Sequence, residues 1–400
     1  MLYFLKKKDC TGCTACMNIC PVNCISMKQD EEGFYYPFAD DNCIECHSCE
    51  DICPIASGRT ESRIEIDQYA AAAITKNNEI WKTSSSGGAF SEICNSFGDD
   101  ETAVFGARFD NLKVVHSFVI GVNNINVFRK SKYVQSDLGN SLCEAEEFLK
   151  AGKKVIFSGT PCQIAGLKSY LGKDYEKLLC IDLICHGVGS PQVFSDTLQY
   201  YGRKYGINIE TYSFRNRKIT VGNVKIHISG HGLENKKTNY VERDVYNDLF
   251  LHQLCLRPSC ASNCKFRCSN RLGDITIADF KNKELVFPRL MDYRNYSTIV
   301  VNSKKGDLVF NILKNYMKVL PCKLDDIKRY NPLFYKHTDD NPLRNDFFKD
   351  YTNGVKMEEL VDKYIAKPNI SKITILKEFI PYRIKAWYRN LRSNFEANSY

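Results

Sequence analysis

The sequence predicts an α+β protein of 400 residues built from three successive parts. Two cysteine-rich runs of the same spacing lie near the N-terminus and indicate a small metal-binding domain. Apolar stretches of strand length then alternate with helical patterns, which is typical of an α/β domain. Near the C-terminus, apolar residues recur every three or four positions among lysines and arginines, which predicts a helical basic tail. We place the three parts at residues 1–57, 64–345 and 346–400.

The N-terminal domain contains two copies of the spacing C-x2-C-x2-C-x3-C-P, which end at Pro21 and Pro54. This run is typical of bacterial ferredoxins that hold two 4Fe-4S clusters, and the fourth cysteine of each run binds the other cluster. The sequence therefore predicts a dicluster ferredoxin-like domain. The predicted ligands are a first cysteine set, Cys10, Cys13, Cys16 and Cys53, and a second cysteine set, Cys43, Cys46, Cys49 and Cys20.

Zinc sites and disulfides are the alternatives for these cysteines. Zinc ribbons use two C-x2-C pairs that together close one site, whereas here each run has a triplet followed by x3-C-P. The regular, duplicated spacing is also unlike a disulfide pattern. Cys24 is a further thiol just beyond the first run, and we interpret it as a small buried packing residue. Between the runs, residues 24–28 and 34–37 predict two short strands joined by a turn at Gly33.

Composition limits the classes of function. A net charge of +8 is modest for this length, and no nucleic-acid-binding motif accompanies it, so we expect no nucleic-acid partner. Acidic redox partners or an anionic membrane surface would both suit the charge. The chain lacks a secretory signal and a continuous apolar run of about 18 residues, so no membrane span is predicted. The 19 cysteines, grouped in motifs, favour a reducing cytoplasmic location.

In the middle part, predicted strands are followed by loops that contain serine, glycine, threonine and cysteine residues. A Ser/Gly loop at 83–88 leads into a helix, which is a natural anion site, although most such loops are simple turns or caps. Strands at 153–158 and 178–184 lead to Cys162 and Cys185, and ligand sites in α/β sheets lie at the carboxyl ends of strands. Alternating residues at about 209–245 predict an antiparallel insertion.

The C-terminal part begins with a predicted helix at 355–365. From Ile373 onward the apolar residues recur at helical spacing with basic residues between them, and Pro381 starts or kinks this helix. Such a helix could contact an anionic membrane or a partner. The alternative is a terminal helix packed on its own domain with a solvated basic face.

Six motifs in order resemble the coenzyme F420 hydrogenase/dehydrogenase beta subunit family, whose members are iron–sulfur flavoproteins and to which 7-hydroxymethyl chlorophyll reductases are similar. The resemblance extends from Cys10 to about Phe280. The motifs are SSSGG at 84–88, KYVQS at 132–136, SGTPCQ at 158–163, CHG at 185–187, RPSC at 257–260 and DIT at 274–276.

The resemblance implies that the middle part is an α/β flavin-binding domain that holds FAD. In that family the Ser/Gly loop contacts FAD, and the Thr-Pro-Cys loop borders its ring system. The flavin-contacting residues that the resemblance implies are Ser85, Ser86, Gly87, Gly88, Lys132, Gln135 and Thr160.

The family also carries a 4Fe-4S cluster inside the flavin domain. Its ligands would map to a third cysteine set, Cys162, Cys185, Cys260 and Cys264. The last pair departs from the family pattern, because the usual C-x2-C spacing is C-x3-C here. Cys255 and Cys268 could therefore substitute. The alternative is a zinc site made of Cys255, Cys260, Cys264 and Cys268.

The function implied by the resemblance is that of an oxidoreductase. Electrons would pass between ferredoxin-type one-electron carriers and FAD, and then to a small-molecule or deazaflavin substrate. Ferredoxin or another redox protein would be the partner, and His186 would serve as a catalytic proton donor, unless it only caps a helix. The alternatives are an electron-transfer subunit of a larger complex, or a membrane-surface redox protein of surface-polysaccharide biosynthesis that the C-terminal tail anchors.

Overall fold

The computed structural model describes residues 5–58, 66–216, 225–232, 239–240, 244–365 and 384. For 216, 225–232 and 239–240 it describes the backbone alone. The amphipathic helix predicted from Ile373 lies outside the described residues. Among the helices that are described, none has the length and apolar character needed to cross a membrane.

The described part of the chain contains strands and helices in alternation. The strands are β1 (Ile25–Gln29), β2 (Tyr35–Ala39), β3 (Tyr69–Thr75), β4 (Ala103–Asp110), β5 (Lys113–Ile120), β6 (Val155–Ser158), β7 (Leu178–Leu183), β8 (Ile207–Asn216), β9 (Lys225–Gly232), β10 (Asn239–Tyr240), β11 (Ile275–Asp279), β12 (Ser297–Val301) and β13 (Met317–Cys322). The helices are α1 (Ala15–Ile19), α2 (Ser48–Asp51), α3 (Asn78–Thr83), α4 (Ala89–Phe97), α5 (Ser141–Lys150), α6 (Pro161–Leu171), α7 (Pro191–Tyr205), α8 (Val245–Leu251), α9 (Lys283–Val286), α10 (Lys304–Leu313), α11 (Leu324–Tyr330), α12 (Arg344–Thr352) and α13 (Met357–Tyr364), with 3-10 helices at Val122–Phe128 and Pro332–Phe334.

Eight strands form one mixed sheet in the order β13-β3-β12-β11-β7-β6-β4-β5. Strands β11, β7, β6 and β4 pair in parallel. Strand β3 runs in the same direction, because β12 pairs antiparallel with both β3 and β11. The carboxyl ends of these five strands therefore lie along one edge, which we call the carboxyl edge. The mixed sheet confirms the predicted α/β character of this part of the chain.

Apolar residues cover both faces of the sheet because successive side chains of a strand point to opposite faces. In β3, Ala71 and Ala73 face a core that includes α4 and α10. Ala70 and Ala72 face a core on the other side that includes Ile327 of α11. Helices α5 and α6 cover the same side farther along the sheet. The sheet is thus buried between two helical layers, as its continuous apolar strands require.

Helix α6 begins where the sequence supplies every signal for a helix start. Thr160 and Gln163 form a capping box, and Pro161 occupies the first turn, where its missing N–H is not needed. Gly172 ends the helix with a φ of 66°, a conformation that glycine adopts without strain. These signals fix the helix start directly after β6, and Cys162 therefore lies at the carboxyl edge.

The N-terminal domain packs into the rest of the molecule and shares a core with it. Strands β1 and β2 pair antiparallel, as predicted, with the turn at Gly33. Phe34 from this hairpin is fully buried in a core that also contains residues of α7, β8, α8, α12 and α13. Helices α12 and α13 lie in the predicted tail, so the described portion of that tail is packed into this core.

The antiparallel insertion is present as a small sheet of order β10-β9-β8. Strands β8 and β9 pair antiparallel from Ile207 opposite Gly232 to Asn216 opposite Lys225, with two irregular positions. The aromatic side chains of β8, Tyr212 and Phe214, pack against Phe194 of α7. Strand β13 and the helices α10, α11 and α12 have no counterpart in the sequence prediction.

Candidate iron–sulfur centres

The four cysteines of the first set surround one cavity, which we call the N-terminal cavity. It encloses about 490 Å³ of empty space, and its lining includes Met27 and Pro37 of the hairpin. All four predicted ligands contribute to the lining: Cys10, Cys13, Cys16 and Cys53. The structure therefore brings together the three cysteines of the first run and the fourth cysteine of the second run, as the crossed assignment predicts.

The second set lies closer to the surface. Cys43 and Cys46 are exposed, Cys49 is half-buried and Cys20 is buried. The Cys20 and Cys24 sulfurs lie 3.3 Å apart. The hydrogen bond with Cys20, together with burial and the hydrogen bond with Cys43, raises the pKa of Cys24 to about 12.

Cys24 is buried, as the sequence predicted for a packing residue. The sequence did not reveal that its thiol contacts two predicted ligands.

The third set surrounds a separate cavity, which we call the central cavity. It contains about 600 Å³ of empty space at the carboxyl edge of the sheet. Cys162 follows β6 and Cys185 follows β7, while Cys260 and Cys264 come from the long segment between α8 and β11. All four of these cysteines contribute to the lining: Cys162, Cys185, Cys260 and Cys264.

The cysteines of the zinc alternative are not assembled in this way. Cys255 is fully buried in the large aromatic core, and Cys268 donates from its sulfur to the carbonyl oxygen of Asn270 at 3.1 Å. Neither residue lines the central cavity. Within the described ranges, no three His, Cys, Asp or Glu side chains converge closely enough to hold a single metal ion. Cysteines that surround a cavity without converging suit a cubane, in which each thiolate binds a different iron.

Burial holds four of the thiols around the two cavities in their neutral form. Burial raises the pKa of Cys13 and Cys185 to about 12, and that of Cys260 to about 11. Burial also raises the pKa of Cys162 well above its usual value. Because iron binds the thiolate, cluster formation must release these protons and then balance the buried negative charge.

Three buried arginines supply positive charge near the two cavities, and sequence reasoning did not identify them. Arg267 and Arg271 line the central cavity. Arg271 forms an ion pair with Asp182 at 3.2 Å, and both side chains are almost completely buried. Arg257 lies between the two cavities and contacts Cys10. A signal was present in the sequence, since each arginine lies within seven residues of a third-set cysteine.

The N-terminal and central cavities share a wall. Thr11 and Gly12 line both of them. Helix α6 also connects the two cavities. Cys162 in its first turn lines the central cavity. A Cβ added to Gly166 would lie 3.1 Å from the sulfur of Cys13, which lines the N-terminal cavity. One helical turn therefore separates a third-set cysteine from the contact with a first-set cysteine.

The Ser/Gly loop connects α3 to α4 and lies against the carboxyl end of β3, where the Thr75 N–H donates to the Gly87 carbonyl oxygen at 2.8 Å. Ser86 donates to the carbonyl oxygen of Tyr296 at 2.7 Å, and the Gly87 N–H donates to the Ser297 hydroxyl at 2.9 Å. Gly87 has no space for a Cβ, which would lie 2.2 Å from the Ala73 carbonyl oxygen. Gly88 begins α4 with a φ of 88°. Ser86 and Gly87 thus hold the loop against the sheet, whereas Ser85 contacts the hydroxyl of Ser131.

The other predicted flavin residues divide between two places. Gln135 and Thr160 line the central cavity. The ammonium of Lys132 instead donates to backbone carbonyl oxygens at the end of the 3-10 helix, including those of Phe128 at 2.9 Å and Arg129 at 2.8 Å. Burial lowers the pKa of Lys132 to about 7. Lys132 therefore organises the loop that faces Ser85.

His186 follows Cys185 at the carboxyl edge, but its ring does not line the central cavity. The ring packs against Phe250 with centroids 5.0 Å apart, and its Nε2 lies 3.3 Å from the Phe250 carbonyl oxygen. Burial lowers the pKa of His186. The predicted role of His186 as a proton donor remains a prediction.

The chain matches two known protein families over parts of its length. Residues 9–57 match the family described as 4Fe-4S dicluster domain, so the chain is an iron–sulfur protein. Residues 152–324 match the family described as the C terminus of the Coenzyme F420 hydrogenase/dehydrogenase beta subunit. The match covers less than half of the chain, and it confirms the resemblance noted in the sequence.

Among solved structures, the chain is similar to a chain of the F420-reducing NiFe hydrogenase complex from Methanosarcina barkeri. The identity is 18%, the match covers 73% of this chain and 97% of that chain, and the TM-score is 0.42. So distant a likeness carries no conclusion about activity. A comparison with curated proteins finds no match.

Proposed function

We propose that this chain is an iron–sulfur flavoprotein oxidoreductase. It would pass electrons between a ferredoxin-type carrier and FAD, and then to a small-molecule or deazaflavin acceptor. The observation that carries the proposal is the wall of Thr11 and Gly12 shared by the N-terminal and central cavities. Because electrons pass through protein only over short distances, centres on the two sides of one loop are well placed to exchange them.

The exposure of the cysteines supports electron entry at the surface, beside the second set, and transfer inward to the first set. Cys43 and Cys46 of the second set are exposed, whereas Cys10 and Cys53 of the first set are buried. The third set is half-buried and lies at the carboxyl edge of the central sheet. A redox partner would therefore dock beside Cys43 and Cys46.

The flavin part of the proposal rests on the carboxyl edge. FAD would combine single electrons into a hydride, which is chemistry that clusters do not supply. Gln135 and Thr160 line the central cavity, so a flavin in contact with them from outside that cavity would border the third set. The uncapped N-terminus of α4 at Gly88 would favour an anionic group such as a phosphate.

Metal and flavin analysis of anaerobically purified protein tests the proposal. We expect about twelve Fe per chain, since each cubane holds four, together with one FAD. About eight Fe with one zinc would contradict the third cluster. A preparation without flavin absorption would contradict the flavoprotein assignment.

Cysteine variants locate the third cluster. Cys162→Ser should retain about eight Fe per chain, because it removes one ligand of a single cubane. Cys255→Ser and Cys268→Ser are matched controls that should retain about twelve. Loss of iron from either control, with full iron in Cys162→Ser, would contradict the ligand set of the central cavity.

An electron-transfer subunit is the second candidate function. The position of the His186 ring favours it, because the ring faces Phe250 and leaves the central cavity without the predicted proton donor. Anaerobic assays of the purified chain with reduced ferredoxin and small-molecule acceptors distinguish the two. Turnover by the chain alone supports the enzyme, whereas reduction of the bound centres without turnover supports the subunit.

A further inference from the structure

We propose that Arg257 is the counter-charge of the cluster held by the first cysteine set, and that it raises the reduction potential of this cluster. Arg257 is thereby a positioning residue for electron transfer between the N-terminal and central cavities. The inference rests on the proposed function only for the presence of the clusters, and it requires no particular acceptor.

The side chain of Arg257 is among the largest fully buried side chains described, with 1% exposure. Its Nε donates to the Cys10 carbonyl oxygen at 2.8 Å, and its Nη2 lies 3.7 Å from the Cys10 sulfur. Its Nη1 donates to the Tyr35 carbonyl oxygen at 2.9 Å and to Gln135 Oε1 at 3.2 Å. The guanidinium also stacks over the Tyr36 ring, 4.0 Å from the centroid.

All of these described partners are neutral groups except the sulfur once it binds iron. Carbonyl oxygens, an amide and an aromatic ring satisfy the geometry of a guanidinium but do not balance its charge. Asp30 acts electrostatically on Tyr36, but it is ion-paired with Lys7 at 2.7 Å. A buried arginine without a counter-charge would strongly destabilise the fold. The negative charge that fits this place is that of the thiolate-bound cluster.

Arg257 should affect the reduction potential of the first-set cluster more than that of the second-set cluster, because of where it lies. Cys43 is the first cysteine of the second run, as Cys10 is of the first, but Cys43 is exposed and Cys10 is buried against the guanidinium. Hydrogen bonds to the sulfurs and nearby positive charge stabilise the reduced cluster, which carries one more negative charge. Arg257 should therefore draw an electron from the second-set cluster to the first-set cluster.

The same residue is adjacent to the wall between the cavities. A Cβ added to Gly12 would lie 3.3 Å from the guanidinium carbon. Along the chain, Arg257 is three residues from Cys260, whose N–H donates to the Arg257 carbonyl oxygen at 2.9 Å. In the transfer, one electron leaves the second-set cluster and reduces the first-set cluster. No bond or proton changes, and Arg257 stays protonated.

The test is an EPR-monitored redox titration of the full chain, purified anaerobically with its clusters. Arg257→Gln should lower the reduction potential of the first-set cluster by at least about 59 mV. This shift corresponds to a tenfold change in the one-electron equilibrium constant. Arg257→Lys keeps the positive charge and should lower this reduction potential less than Arg257→Gln does. A Cys13→Ser variant identifies which signal belongs to the first set. Arg344→Gln, which removes an α12 guanidinium that pairs with Glu32 of the same hairpin, is the matched control with unchanged potentials.

Wild-type potentials in Arg257→Gln would overturn the inference. If Arg257→Gln loses the first-set iron, the inference requires that Arg257→Lys retains it, and equal loss in both variants would also overturn it. A different experimental result would contradict the proposed function. In that case the wild type lacks the third cluster or FAD, while the first-set signal and its dependence on Arg257 can still be measured.

Discussion

Gly12 lines both the N-terminal and the central cavity, and its backbone has a φ of 70°. An added Cβ would lie 2.5 Å from Gln135 Nε2, on a side chain whose oxygen accepts from Arg257 and from the Tyr35 N–H. A larger residue would therefore strain the backbone and displace a buried hydrogen-bonded side chain.

We expect Gly12→Ala to lower the free energy of unfolding by about 3 kcal/mol, from left-handed strain and lost hydrogen bonds. The matched control is Gly58→Ala, because Gly58 has a φ of 69° and no atom within 4 Å of an added Cβ. The control should cost about 1 kcal/mol, from strain alone. Anaerobic urea unfolding measures both, and equal losses would contradict the crowding at Gly12.

Burial of His116 makes the free energy of unfolding depend on pH. Its ring stacks on Phe157 and lies between the Ser136 hydroxyl and the Ser158 carbonyl oxygen, and burial lowers its pKa to about 4. The unfolded chain binds this proton below about pH 6.5, while the folded chain does not until about pH 4. Stability from His116 is therefore present above pH 6.5 and is lost as the pH falls.

Between pH 6.5 and 5.5, His116 should reduce the free energy of unfolding by about 1 kcal/mol. His116→Asn should show a correspondingly flatter pH dependence over this interval. His252→Asn, which removes an exposed histidine, is the control for the loss of an imidazole. Urea unfolding at the two pH values measures the slopes, and identical slopes for all three proteins would contradict the assignment.

At the scale of elements, α6 couples the third set to the first. Cys162 lies in its first turn, and Gly166 allows Cys13 to pack against the helix, since an added Cβ would lie 2.8 Å from the Cys13 Cβ. Helix propensity alone would favour alanine at such a position by about 1 kcal/mol. The contact with Cys13 thus opposes the local preference.

We expect Gly166→Ala to displace Cys13 and to alter the EPR signal of the first-set cluster or to reduce the iron content by about four per chain. Gly202→Ala in α7, where the nearest atom to an added Cβ is a carbonyl oxygen at 3.1 Å, should keep both signal and iron. Full iron with an unchanged signal in Gly166→Ala would show that the close approach to α6 does not matter.

At the scale of the whole molecule, Arg344 joins α12 to the N-terminal hairpin. It pairs with Glu32 at 2.5 Å, with side-chain exposures of 13% and 17%, and its Nε donates to the Leu256 carbonyl oxygen at 2.8 Å. The guanidinium also lies over Phe348, 4.4 Å from the ring centroid. Three distant parts of the chain therefore meet at one side chain.

A double-mutant cycle with Arg344→Gln and Glu32→Gln should give a coupling energy of about 2 kcal/mol, because the pair is largely buried and hydrogen-bonded. The pair of Arg203 and Glu358 is the control, with exposures of 58% and 45%. Its coupling should stay below about 0.5 kcal/mol. Similar couplings for the two pairs would contradict the role of Arg344 in docking the hairpin.

The sequence by itself predicted the first two cysteine sets, and it determined the hairpin between them and the strand-to-helix turn at Cys162. These features are local, because three of the four ligands of each cubane lie in one short run and a helix start depends on neighbouring residues such as Thr160 and Gln163. The third set followed from a family resemblance, and the residues that would complete a flavin site could be placed only in part.

The tertiary structure alone decided how the centres are joined. Arg257 and Cys10 are 247 positions apart in the chain, and Gln135 and Tyr35 are 100 apart. No periodicity or spacing relates such residues, because they meet only when the N-terminal domain packs against the sheet and its long connecting segments. The shared wall at Thr11 and Gly12, and the buried charge beside it, therefore belong to the fold and not to any motif.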